Sequence, residues 1–122
     1  MSRILIIDDD DGTRFYLSVL LKKIDPTLEV LQAHDGEEAC EILDTSEEAP
    51  TLIILDINMP IMDGFEFLKR NSARIDLDKT RIVIQSSSEE PADRDAINAI
   101  GLVHDYCLKP IRKDVMIRYL NR

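Results

Sequence analysis

TLIILD, residues 51–56, sets four consecutive apolar residues between a threonine and an aspartate. Apolar runs this short and this continuous read as strands buried on both faces, because a strand with one solvated face would alternate. RILIID (3–8) and RIVIQS (81–86) have the same character, whereas LEVLQA (28–33) and HDYCLK (104–109) are more polar and suit sheet edges.

Segments of helical period separate these runs. Leu17, Leu20, Leu21 and Ile24 recur at i, i+3, i+4 and i+7, and Asp25-Pro26 stops that helix. Asp35, with Glu38 three residues on, predicts a capped second helix that turns Ala39, Ile42 and Leu43 inward. Asp63-Gly64 opens a third, with Phe65 and Leu68 on one face. Pro91 and Gly101 bracket a fourth, with Ala92, Ala96, Ala99 and Ile100 as its apolar stripe. Val115, Met116, Tyr119 and Leu120 define a fifth. Parallel strands need helical crossovers, so five strands alternating with five helices predict a doubly wound α/β fold. The 122 residues predict one domain over 1–122, with no output domain.

The 24 acidic against 15 basic residues leave a net charge of −9, which argues against direct contact with nucleic acid or anionic membrane. The sequence lacks an apolar stretch of spanning length and a basic-then-apolar leader, which predicts a cytoplasmic protein with no membrane segment. Cys40 and Cys107 are expected as buried, reduced thiols, and His34 and His104 as surface or loop residues, since none has metal-ligand spacing.

Polar residues close the central strands: Asp8 and Asp9 after the first, Asp56 after the third, Ser86 after the fourth and Lys109 after the fifth. The carboxyl ends of parallel strands form one rim, where open α/β sheets bind ligands. Asp8, Asp9 and Asp56 are hard oxygen ligands, and Mg²⁺ would cancel the repulsion within the dense acidic run DDDD at 8–11. Asp10 and Asp11 fall at the entrance to the first helix and are expected as capping and dipole residues rather than ligands. Asp56, compensated by Mg²⁺ and Lys109, can attack a phosphorus centre to give an aspartyl phosphate, with the ammonium and the metal on the equatorial oxygens.

IIDDDD, LILDINMPIMDGFEFL, VIQSSS and DYCLKP, in that order and across nearly the whole chain, resemble the motifs of the two-component response-regulator receiver domain. The resemblance implies a flavodoxin-like sheet of order 2-1-3-4-5. It implies Asp56 as phospho-acceptor, Asp8, Asp9 and Asp56 with the Asn58 backbone carbonyl on Mg²⁺, Ser86 as the switch hydroxyl, Lys109 on the phosphoryl group and Tyr106 as the switch aromatic. A cis bond at Pro110 is implied as well. The partners implied are a histidine kinase or phosphotransfer protein and a downstream protein target. Ser86 stands where threonine is commoner, which keeps the hydroxyl.

Two other classes fit less well. An aspartyl-nucleophile phosphohydrolase needs an acid two positions after the nucleophile, and Asn58 cannot transfer that proton. A flavin-type binding module needs a phosphate cradle rich in Gly, Ser and Thr after the first strand, and DDDDGT repels phosphate.

Overall fold

The structure is a computed structural model that describes residues 2–57, 59, 61–87, 95, 98, 99, 101 and 103–121. Its strands are β1 (Arg3–Ile7), β2 (Glu29–Ala33), β3 (Leu52–Asp56), β4 (Arg81–Ser86) and β5 (Asp105–Leu108). They form one parallel sheet in the order β2-β1-β3-β4-β5. The helices among the described residues are α1 (Asp11–Ile24), α2 (Gly36–Thr45), α3 (Gly64–Asn71) and α4 (Lys113–Leu120). Most of the helix expected between Pro91 and Gly101 lies outside the described residues; Ala99, expected on its apolar stripe, is exposed.

Strand burial follows composition. β3 is buried at every residue, and β1 and β4 at every residue but the first, while β2 and β5 are only partly buried at the edges. Alternate side chains divide between two cores. One packs Leu5, Ile7, Ile53, Leu55, Ile82 and Ile84 against α2 and α3 through Ala39, Phe67 and Leu68. The other packs Ile4, Ile6, Leu52, Ile54 and Val83 against α1 and α4 through Leu17, Leu21, Met116 and Tyr119. Each fully buried Leu, Ile or Phe contributes about 1.5–3 kcal/mol by leaving water.

Aspartates set the starts of α1, α2 and α3, while α4 begins after Arg112 without a side-chain cap. Asp10, Asp35 and Asp63 each accept the backbone N–H three residues on, from Thr13, Glu38 and Glu66. Each cap satisfies one orphan donor of the first turn and puts negative charge at the positive end of the helix. In α3 the expected pair, Phe65 and Leu68, packs inward, and the buried face is wider than expected. Phe67 is fully buried beside Leu68, and Phe65 is only partly covered.

The cysteines also depart from expectation. Cys40 on α2 and Cys107 on the edge strand β5 are free but only half-buried. Burial and the nearby Asp105 carboxylate push the Cys107 thiol above its ordinary pKa. His104 accepts the Ile82 N–H on Nδ1 at 3.2 Å and so caps the entry to β5, a structural role.

Candidate functional site

Asp8, Asp9 and Asp56 meet at the carboxyl ends of β1 and β3, each offering one oxygen within 4.8 Å of the others. Asp8 and Asp56 are buried, with 0 % and 3 % exposure, and Asp9 is exposed. Lys109 extends over them from the end of β5. Its Nζ lies 2.7 Å from Asp8 Oδ2 and 3.3 Å from Asp56 Oδ2. Burial works against the charged ammonium, yet the hydrogen bonds and charges of Asp8 and Asp56 outweigh it and hold Lys109 above the usual lysine pKa. Lys109 is therefore a firm cation.

Backbone bonds beyond the strand ends hold this arrangement. The Asp8 N–H donates to Ala33 at 3.1 Å, and the Lys109 N–H donates to Ser86 at 2.8 Å. The Lys109–Pro110 peptide bond is cis, as the resemblance implied. Past β3, the Gly64 N–H donates to the Ile57 carbonyl at 2.9 Å and folds the start of α3 back against Asp56.

The donor set fits a hard cation. Three carboxylates face one ammonium, which leaves an excess of negative charge in a largely buried site, and every side-chain ligand is an oxygen. Asp10 and Asp11 stand apart, as expected. Asp10 caps α1, where bonds from the Thr13 hydroxyl and N–H lower its pKa, and Asp11 pairs with Arg14. Asn58, whose carbonyl the resemblance adds to the ligands, lies outside the described residues.

Ser86 is fully buried at the end of β4. Tyr106, half-buried, is in register with Ile84 and packs against the α2/α3 core, so strand alternation sets it and Ser86 on the same face of the sheet. Of the outer surface beyond β5, Asn98, Arg112 and Lys113 are exposed, and Asp93 and Arg94 lie outside the described residues.

Several contributors are not evident from the sequence. Arg14 Nη1 donates to the Asp8 carbonyl at 2.6 Å, tying α1 to the acidic turn. Gly64 allows α3 to approach the Asp56 backbone more closely than a Cβ would permit. Gln85 donates from beneath the site to Asp8 Oδ2 at 3.0 Å. Its only sequence signal is one polar residue inside an apolar strand.

A five-stranded doubly wound sheet with an acidic trio and a lysine on its carboxyl rim defines the class of phosphoryl-accepting signalling switches. Residues 4–121 match the response regulator receiver domain, and the chain belongs to that family. It is 36% identical over 110 residues to a protein-glutamate methylesterase/protein-glutamine glutaminase of Halalkalibacterium halodurans, a match covering 88% of this chain and 30% of that protein. To protein PilH of Pseudomonas aeruginosa it is 25% identical, over 99% of this chain and 96% of that one. The chemotaxis protein CheY4 of Vibrio cholerae superposes with a TM-score of 0.84 at 30% identity, over 100% of this chain and 98% of that one. The chain is thus a receiver of the two-component type, a signalling switch activated by phosphorylation. Among the described residues no helix is long and apolar enough to cross a membrane.

Proposed function

We infer that Asp56 is the phospho-acceptor, and that this chain receives a phosphoryl group from a histidine kinase or phosphotransfer protein and reports it to a downstream protein. The observation that carries this inference is the burial of Asp56 beside Asp8 and Asp9 with Lys109 3.3 Å from its Oδ2. An Asp56 oxygen attacks the phosphorus of a phosphohistidine. The P–O bond forms as the P–N bond breaks, and the donor's imidazole leaves with the electron pair of that bond. Asp8, Asp9 and Asp56, with the Asn58 carbonyl that the family resemblance adds, would hold Mg²⁺, which would supply positive charge to offset that of the transferring group. Lys109, held as a cation by Asp8 and Asp56, moves from Asp8 toward the phosphoryl oxygens and offsets their charge. Only this acceptance and its reversal by hydrolysis are expected as chemistry.

The new group carries nearly two negative charges and strong acceptor oxygens, so it draws the Ser86 hydroxyl toward Asp56. Tyr106, on the same face of the sheet, turns inward as space opens behind β4, which alters the surface bearing Asn98, Arg112 and Lys113. Asp114, paired with Arg112 at 3.6 Å, gives that surface charge of both signs, which with the net charge of −9 favours a protein partner over nucleic acid, and a cytoplasmic setting matches the kinase donor.

Amide spectra with and without beryllofluoride and Mg²⁺ test the switch. Wild type should change around Tyr106 and the helix expected between Pro91 and Gly101, whereas Ser86→Ala should bind the analogue and lose much of that remote change. An unchanged wild-type spectrum would contradict the switch. A full response in Ser86→Ala would remove Ser86 from it.

A further inference from the structure

Gln85 interrupts the apolar strand RIVIQS one residue before Ser86 and is fully buried. Its register partners are Asp56 on β3 and Cys107 on β5. Strand alternation sets it on the same face as Val83, among the apolar side chains under α1 and α4. From there Nε2 donates to Asp8 Oδ2 at 3.0 Å. An ionised carboxylate only accepts, so the amide nitrogen must face Asp8. Gln85 Oε1 then lies buried without a hydrogen-bond partner among the described residues. An unmet buried acceptor is costly, and a leucine or methionine at this position would avoid it. The amide therefore has a use at Asp8 that an apolar side chain lacks.

The bonds of Asp8 show what that use is. Oδ1 accepts the Asp10 N–H at 2.9 Å, and Oδ2 accepts Lys109 Nζ at 2.7 Å as well as Gln85 Nε2. Lys109 also reaches Asp56, so it is the partner that a phosphoryl group on Asp56 would draw away. Gln85 is neutral, short and locked in the middle of the sheet, so it stays. We propose that Gln85 is a positioning residue for the acidic site: it fixes Asp8 Oδ2 from beneath and keeps the carboxylate oriented toward the cation when Lys109 turns to the phosphoryl group. This rests on the Mg²⁺ reading given above. Removing the outer hydrogen-bond partner of a ligating group typically lowers metal affinity by about 10–100-fold.

Titration of Mg²⁺ into wild type, Gln85→Met and Gln85→Leu, without any phosphoryl donor, tests the proposal through the amide signals of Asp8 and Asp9. Thermal unfolding in EDTA is measured alongside. Both variants should bind Mg²⁺ about tenfold more weakly, the lower end of that range, while their metal-free midpoints stay level or rise because the unmet Oε1 is gone. Wild-type affinity in both variants overturns the proposal. A deficit in only one of them, or one accompanied by a lower metal-free midpoint, assigns Gln85 to packing and overturns it too. A wild type that binds no Mg²⁺ overturns the metal reading itself, and this proposal with it.

Discussion

A Cβ placed on Gly64 would lie 2.7 Å from the backbone carbonyl oxygen of Asp56 and 2.9 Å from Ile57 Cα. Both obstacles are main chain of the acceptor segment, so neither can move without moving the site. Gly64→Ala should cost about 1–3 kcal/mol, the usual range for overpacking, and should slow phosphoryl acceptance by displacing Asp56. Gly12, exposed in α1, is the control. Its added Cβ would meet nothing closer than 3.5 Å, so Gly12→Ala should raise stability by about 0.5–1 kcal/mol through helix propensity. Urea denaturation of the two variants should shift in opposite directions; equal losses would contradict the close approach.

The four aspartates at 8–11 divide by what their carboxylates already hold. Asp10 accepts from Thr13 N and Oγ1, whereas Asp9 sits within the acidic trio. Asp9→Asn should weaken Mg²⁺ binding strongly, and Asp10→Asn should leave it near wild type while costing less than about 1 kcal/mol of stability, since Asn also caps well. Equal weakening by both, followed by amide shifts, would contradict the division.

His34 places Nδ1 2.9 Å from Glu38 Oε1 and Nε2 3.2 Å from Asp35 Oδ2. The hydrogen bond and charge of Glu38, with Asp35 behind them, raise the imidazole pKa above 6.5, against opposing effects of burial and Arg14. A pKa higher in the folded than in the unfolded state stabilises the fold fully below the unfolded value, and this gain is lost as pH rises through the folded value. His34→Gln should therefore lower the unfolding midpoint more at about pH 5.5 than at about pH 9, on either side of the ordinary histidine range. The same loss at both would show that the charge on His34 is irrelevant.

The sheet was legible because parallel strands buried on both faces leave continuous β-branched runs, and TLIILD, RILIID and RIVIQS are such runs. The acidic trio and Lys109 were legible because each ends a strand, and parallel topology brings those ends to one rim. In α3 the pairing of Phe65 with Leu68 was legible from its i, i+3 spacing, and both pack on the same core; Phe67 was missed because an eight-residue helix has too few turns to reveal an apolar face wider than one stripe. Gln85 was missed because one amide in an apolar strand has no periodic signature; only the register with Asp56 reveals it. The sharing of Lys109 between Asp8 and Asp56 depends on distances that no spacing encodes.

Intact mass after treatment with acetyl phosphate tests the central claim most directly. Wild type with Mg²⁺ should gain one phosphoryl group, lose that gain in EDTA, and show none in Asp56→Asn. An adduct that persists in Asp56→Asn, or forms equally well in EDTA, would contradict Asp56 as the metal-assisted acceptor.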